Sequence, residues 1–194
     1  MIPEEVIQVF RDTGALLEGH FLYASGRHGQ QFLQAARVLQ FPEHTERLCQ
    51  ALAARFAAAG VELVVGPATG GIVLAYETAR HLSCRAAFTE KDGAGGMAFK
   101  RGFALKPGTR VLVVEDIITT GGSVKKTIEH LRARGAEVLG VGVLIDRSAG
   151  EAAFDCRFEA LARLDMQSWS PDACTLCVSQ TPLIDPDDIV VSSP

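Results

Sequence analysis

The chain is 194 residues long, 47% hydrophobic and 22% charged, which suits one domain with a sizeable buried core and excludes a disordered chain. Its formal net charge of −4 argues against a broadly basic nucleic-acid-binding surface. No stretch is apolar for long enough to span a membrane. The opening MIPEEVIQVFRD carries acids where an export signal needs bases, so a cytoplasmic protein is expected.

Pro3 to Asp12 reads as a short amphipathic helix, with Pro3 at its start, Glu4 and Glu5 in its first turn and Gly14 as its stop. Residues 15–40 read as extended and turn-rich, with a tight turn at Ser25-Gly26-Arg27-His28-Gly29. Pro42 to Ala59 is an alanine-rich helix with Leu48, Leu52 and Phe56 on one face, ended by Gly60. A regular alternation follows. Val61 to Val65 reads as a strand, Gly66 to Gly71 as a glycine-rich turn, Ile72 to Leu82 as a helix and Arg85 to Phe88 as a strand. Glu90 to Gly96 has too little side chain to pack and is expected to be a mobile loop. Arg110 to Glu115 is a strand, Ser123 to Arg134 a helix stopped by Gly135, and Val138 to Ile145 a buried strand. Unbroken apolar strands alternating with helices specify an α/β fold, a central parallel sheet with helices on both faces. No repeat or linker divides residues 1–194, so a single domain is expected. The tail 179–194, with Pro182 and Pro186 in it, is expected to be a poorly ordered extension.

Five cysteines, an odd number and widely spread, read as free thiols. Cys174-Thr175-Leu176-Cys177 has the spacing of half a metal site or a redox pair. With no second CxxC and no histidine cluster beside it in sequence, free thiols are the preferred reading.

The stretch with the most chemistry is RVLVVEDIITTGGSV, residues 110–124. Four apolar residues, Val111 to Val114, lead into Glu115 and Asp116, then Ile117 and Ile118, then Thr119-Thr120-Gly121-Gly122-Ser123. In an open α/β sheet, ligands bind beyond the carboxyl ends of the strands. Backbone N–H groups at a helix start, with glycines permitting close approach, cradle an anion, and Thr119, Thr120 and Ser123 add hydroxyl donors. The two carboxylates would repel that anion, so they must face sugar hydroxyls or a hard cation such as Mg²⁺. A phosphorylated ribose supplies hydroxyls and phosphate together. Other phosphate motifs fit poorly: neither glycine loop has the G-x-G-x-x-G spacing, and in Gly66-Pro67-Ala68-Thr69-Gly70-Gly71 a P-loop lysine would fall on Ile72.

VLVVEDIITTGGSV resembles the phosphoribosyl-diphosphate (PRPP) signature of the type I phosphoribosyltransferases. Further segments resemble the orotate-specific members of that family, in the same order: GALLEGHFLYASGRHGQQFLQ at 14–34, VVGPATGGIVLA, FTEKDGAGG and LIDRSAG at 144–150. The resemblance covers roughly residues 12–165. It implies the type I phosphoribosyltransferase fold with residues 1–40 as an N-terminal hood, Mg²⁺ carried by PRPP near Glu115 and Asp116, and a homodimer. It also implies transfer of phosphoribosyl from PRPP to orotate. Glu115 and Asp116 would hold the ribose hydroxyls, and the backbone and side chains from Ile117, Ile118 and Thr119 to Ser123 the 5-phosphate. Thr69 and Gly70 would cradle diphosphate. Lys91, catalytic together with Asp116, would close over it from the mobile loop. Arg147 would pair with the orotate carboxylate, Thr119 would touch orotate as well, and Phe32 would pack near its ring. No residue ligates the metal directly.

Two positions depart from that pattern, Ala24 and Gly70, where family members usually carry lysine, and the catalytic loop is short. Arg27, Lys91, Lys100 and Arg101 are the cations that could make up the difference. Lys125-Lys126 and Lys100-Arg101 are most simply solvated faces. His20 and His28 read as structural or exposed, and Trp169 as core or dimer packing. Two other functions stay open at this point: transfer to another base, adenine or xanthine, and a PRPP-binding regulator without turnover.

Overall fold

A computed structural model describes residues 1–23 and 25–186. Helix α1 (Pro3–Asp12) buries Val6, Val9 and Phe10 and is closed at its start by Glu5, whose carboxylate accepts from the Ile2 N–H at 2.9 Å. Strands β1 (Leu16–Leu22) and β2 (His28–Leu33) form an antiparallel hairpin. Its turn is closed by Tyr23 N–H to the Arg27 carbonyl at 2.8 Å, with Gly26 at φ +75°. After α2 (Ala36–Leu39) comes α3 (Pro42–Phe56). A 3₁₀ turn continues it through Ala59 to Gly60, whose φ of +68° ends the helix where a glycine stop was expected.

The alternating part follows as β3 (Leu63–Pro67), α4 (Gly70–Leu82), β4 (Arg85–Lys91), β5 (Met97–Ala98), β6 (Arg110–Ile118), α5 (Gly122–Ala133), β7 (Glu137–Asp146) and β8 (Arg157–Arg163). The described residues close with β9 (Ser168–Trp169) and the short α6 (Thr175–Val178). Six strands form one sheet in the order β5-β4-β3-β6-β7-β8. All neighbours are parallel except β5, a two-residue antiparallel edge on β4. A second sheet, β1-β2-β9, makes the hood.

The sheet is covered on both faces, which is why its central strands read as unbroken apolar runs. Along β6, Leu112 and Val114 join a core with Phe10, Leu48, Leu52 and Phe56, whereas Val111 and Val113 face Val124, Ile128 and Leu131 of α5. Gly140 and Gly142 of β7 let α3 sit close, since a Cβ at either would come 2.8 Å from Phe56 or 3.1 Å from Leu52. Gly66 has the same role where β3 meets α4: a Cβ there would overlap the Gly71 carbonyl, and both partners are backbone. Gly66→Ala is therefore expected to cost about 3 kcal/mol, seen as a lower urea midpoint with unchanged m-value.

Several sequence expectations shift. Strand β3 begins two residues later than its first apolar residue, and α4 begins at Gly70 and not at Ile72. Strand β6 runs on through both acids to Ile118, because its pairing with β7 continues to Ile118 opposite Asp146. The loop expected at 90–96 is shorter, residues 92–96 at the tip of a hairpin. Glu90 and Lys91 belong to β4, and the Asp92 carboxylate accepts from the N–H groups of Ala94 (2.7 Å) and Gly96 (2.9 Å). The tail is docked as far as it is described: Ile184 donates to the His20 carbonyl at 2.7 Å and accepts from Leu22 N–H at 3.0 Å. The expectation for 187–194, and that for Ala24, lie outside the described residues. His20 and His28 are both buried. No helix among the described residues is long and apolar enough to cross a membrane.

Candidate active site

The strand order reverses between β3 and β6: the connection through α4 steps outward to β4, and the one through α5 steps the other way to β7. Such a switch point opens a crevice at the carboxyl ends of the strands. The loops after β3, β6 and β7 meet there, bringing together residues 67–71, 115–123 and 147.

The cleft after β6 has a volume of about 280 Å³ and is lined by Glu115, Ile117, Ile118, Thr119 to Val124, and Lys126. Its floor is the start of α5. Gly121 takes φ +73° as the residue before the helix, and no side chain caps it, so the first N–H groups of α5 face the cleft unclaimed by a capping oxygen. Thr119, Thr120 and Ser123 are exposed at its rim. Lys126, expected to be merely solvated, lies along the same cleft. The signal was the three-residue spacing from Ser123, which puts both on one face of a helix.

Glu115 lines the same cleft and Asp116 lies beside it against Gly70, both largely out of water. Asp116 N–H donates to Glu115 Oε1 at 3.2 Å, and Ile117 N–H to Asp116 Oδ1 at 2.6 Å. Burial first, and the neighbouring Asp116 charge second, push Glu115 up to about 8. Burial likewise raises Asp116. Among the described residues no cation offsets either shift. Both therefore suit a ligand that brings hydroxyl donors or a hard cation.

Across from them the β3–α4 turn presents Thr69 and Gly70 at the uncapped N-terminus of α4, with a cis Ala68–Thr69 peptide bond and the Ala68 N–H bonded to the Thr89 carbonyl at 2.7 Å. Gly70 lies against Asp116: a Cβ at position 70 would overlap Asp116 Oδ2. A lysine here would require Asp116 to swing away, so glycine at 70 and this placement of the carboxylate go together.

Arg147 follows β7, its N–H bonded to the Ile118 carbonyl at 2.8 Å, so the ends of β6 and β7 are tied beside the cleft. Its side chain is half-buried, and its buried Nε has no hydrogen-bond partner among the described residues. The guanidinium lies 5.8 Å from the Tyr23 ring centroid, and burial lowers its pKa. A partly desolvated guanidinium without a carboxylate is an anion site. Tyr23, which sequence reasoning overlooked, is thus the aromatic ring at Arg147, its hydroxyl donating to the Gln31 carbonyl. Phe32 is half-buried, its ring 5.8 Å from that of Phe21.

Among the cations available for a diphosphate, Arg101 is bound twice to Glu90, at 2.9 and 2.8 Å, and Arg27 is tied to the Ser168 hydroxyl at 2.8 Å and to its carbonyl. The side chains of Lys91 and Lys100 make no hydrogen bond or close ion pair among the described residues, although Lys100 lies near enough to Glu90 and Asp92 to lower both, and both lysines are exposed at or beside the β4–β5 hairpin.

A family model for a phosphoribosyl transferase domain matches residues 40–156. The chain is 50% identical over 186 residues to the orotate phosphoribosyltransferase of Desulforamulus reducens, covering 96% of this chain and 97% of that one. To the Thermus thermophilus enzyme of the same name it is 47% identical over 179 residues, covering 92% and 98%. The crystal structure of orotate phosphoribosyltransferase from Aeropyrum pernix superposes with a TM-score of 0.66 at 29% identity, over 82% of this chain and 93% of that one.

Proposed function

From the premise that the chain belongs to the phosphoribosyl transferase family, and within it to the orotate phosphoribosyltransferases, we propose that it moves the phosphoribosyl group of PRPP onto orotate, giving orotidine 5′-phosphate and diphosphate. The observation that carries the reading at the level of this site is the pairing of an anion cradle and two carboxylates that no described cation offsets with a half-buried guanidinium at the next strand end, whose Nε has no partner among the described residues and which meets only the Tyr23 ring and hydroxyl.

A ring nitrogen of orotate gives up its proton, to the departing diphosphate or to water, and forms its bond to the anomeric carbon as the bond to diphosphate breaks, the ring oxygen sharing the positive charge between. Little covalent chemistry falls to the protein, so positioning and charge carry the rate. The α5 N-terminus, with Thr119, Thr120, Ser123 and Lys126, fixes the 5-phosphate. Glu115 and Asp116 accept hydrogen bonds from the ribose hydroxyls and favour the developing positive charge. The N–H groups at Thr69 and Gly70 receive diphosphate, with Lys91 reaching over it. Arg147 takes the orotate carboxylate in a two-pronged hydrogen bond, Thr119 also touches orotate, and Phe32 with Tyr23 borders its ring. The all-oxygen donor set of the acids suits Mg²⁺, which when bound with PRPP supplies positive charge to the leaving diphosphate.

Two wider readings accompany this one. Val73 and Tyr76 are exposed on one face of α4, an apolar pair that a second copy would cover in a homodimer. Sedimentation at micromolar concentration is expected to give twice the chain mass. All five cysteines are unpaired, in keeping with a reducing cytoplasm.

The direct test follows diphosphate release from PRPP and Mg²⁺ with orotate, uracil, adenine or xanthine. Turnover is expected with orotate alone. Turnover with a purine, or PRPP binding without turnover on any base, would replace the proposal.

A further inference from the structure

We propose that His20, His28, Cys174 and Cys177 form a zinc site that staples the C-terminal segment to the hood. One ligand atom from each lies within 4.8 Å of all the others. The four come from three separated parts of the chain: β1, the start of β2, and the CxxC beside α6.

The distances are within a few tenths of an ångström of those in a metal cage. His20 Nε2 is 3.1 Å from His28 Nδ1, 3.4 Å from Cys174 Sγ and 3.7 Å from Cys177 Sγ. Cys177 Sγ is 3.2 Å from His28 Nδ1. A tetrahedron with ordinary Zn–N and Zn–S bonds has edges of roughly 3.3–3.8 Å. Pairwise hydrogen bonding among thiols and imidazoles would not require all four atoms to surround one point.

The surroundings also fit. His20 and Cys174 are 1% exposed and His28 6%, so these groups have left water, while Cys177 leaves an entry path at the surface. His20 Nδ1 is 2.8 Å from the Thr181 carbonyl, which can only accept. The ring proton therefore sits on Nδ1, and the Nε2 lone pair points inward. A carbonyl partner fixing the tautomer of a ligating imidazole is the usual outer arrangement of a metal site. Two sulfur and two nitrogen donors in a tetrahedron favour zinc over magnesium or calcium. Binding exchanges two thiol protons for one Zn²⁺, so two thiolates, two neutral imidazoles and the ion make an uncharged buried unit.

The site has a consequence for the hood. His20 and His28 bracket the turn that carries Tyr23, whose ring meets Arg147. The same cluster holds the segment that runs on to Ile184 beside Phe21. The metal would fix both at once.

The test uses the full chain purified without a histidine tag. Elemental analysis is expected to find about one zinc per chain. Cys177→Ser and His28→Ala are expected to lose it, and Cys84→Ser to keep it. Should those variants fail to fold, the parent protein still decides the matter. Stripped with a chelator and titrated with Co²⁺, it should show thiolate-to-cobalt charge-transfer absorption. Zinc should slow alkylation of Cys177 at least about tenfold while leaving Cys84 unchanged. A zinc-free protein with a Cys174–Cys177 disulfide would overturn the proposal. So would reduced thiols that take up neither ion, or zinc retained by both ligand variants.

Discussion

Replacing Glu115 with glutamine and Asp116 with asparagine yields a protein that melts about 3–6 °C above the parent at pH 8.5 and turns over orotate about 10³-fold more slowly. Both effects have one cause. Each carboxylate is buried beside the other with no cation among the described residues to offset it, and Glu115 is pushed from 4.5 up to about 8. The folded state thus holds its proton more tightly than the unfolded state. Between those two values the native chain binds more protons, so its stability falls as pH rises, and above the folded pKa the full cost is present. Neutral isosteres remove that cost but leave buried amide donors without partners, for a net gain of about 1–2 kcal/mol. The difference in melting temperature between variant and parent should close as pH falls toward 4.5. The same neutralisation weakens two charge-assisted hydrogen bonds to ribose hydroxyls, each worth about 1.5–3 kcal/mol. Melting curves at three pH values and steady-state kinetics check the pair of claims. An unchanged melting point at pH 8.5, or retained turnover, would show that the carboxylates neither strain the empty site nor hold the sugar.

That trade of stability for binding was partly legible in the sequence. Val111 to Val114 announce a strand buried on both faces, and the acids and glycines after them have few other uses, so the anion cradle follows from local pattern. Where β6 ends does not follow, because Glu115 to Ile118 stay extended only through pairing with β7. The start of α4 was hidden for a similar reason: Gly70 and Gly71 are poor helix formers, and packing against Gly66 and Asp116 holds them there. That Glu90 and Lys91 extend β4 does not follow from the sequence either, because the Asp92 turn that closes the hairpin depends on a side chain and not on apolar period. What the sequence could least reveal were the meetings across long separations. His20 and Cys174 are 154 residues apart, and Tyr23 reaches Arg147 only because the hood folds over the sheet. Neither histidine has a neighbour in the chain that marks it as a partner of the CxxC.

Arg147→Met lowers kcat/KM for orotate by about 10³–10⁴-fold while leaving the affinity for PRPP nearly unchanged. A site built to pair with a charged group loses that much when one partner goes, because the other is left desolvated and unpaired. Methionine keeps the length and apolar body of the side chain but none of its donors. Arg147→Lys should recover little, since a point charge on a flexible stem cannot present two parallel N–H groups to a carboxylate. Preference for orotate over uracil should collapse in both variants, because that carboxylate is what separates the two bases. The empty protein offers the control. With Nε buried and unpartnered and the guanidinium half out of water, Arg147 contributes little to the fold, so Arg147→Met should melt at or above the parent temperature. A lower melting point accompanied by an equal loss of PRPP affinity would assign Arg147 to holding the β7 end against Tyr23. Loss confined to orotate, in a protein as stable as before, would assign it to choosing the base.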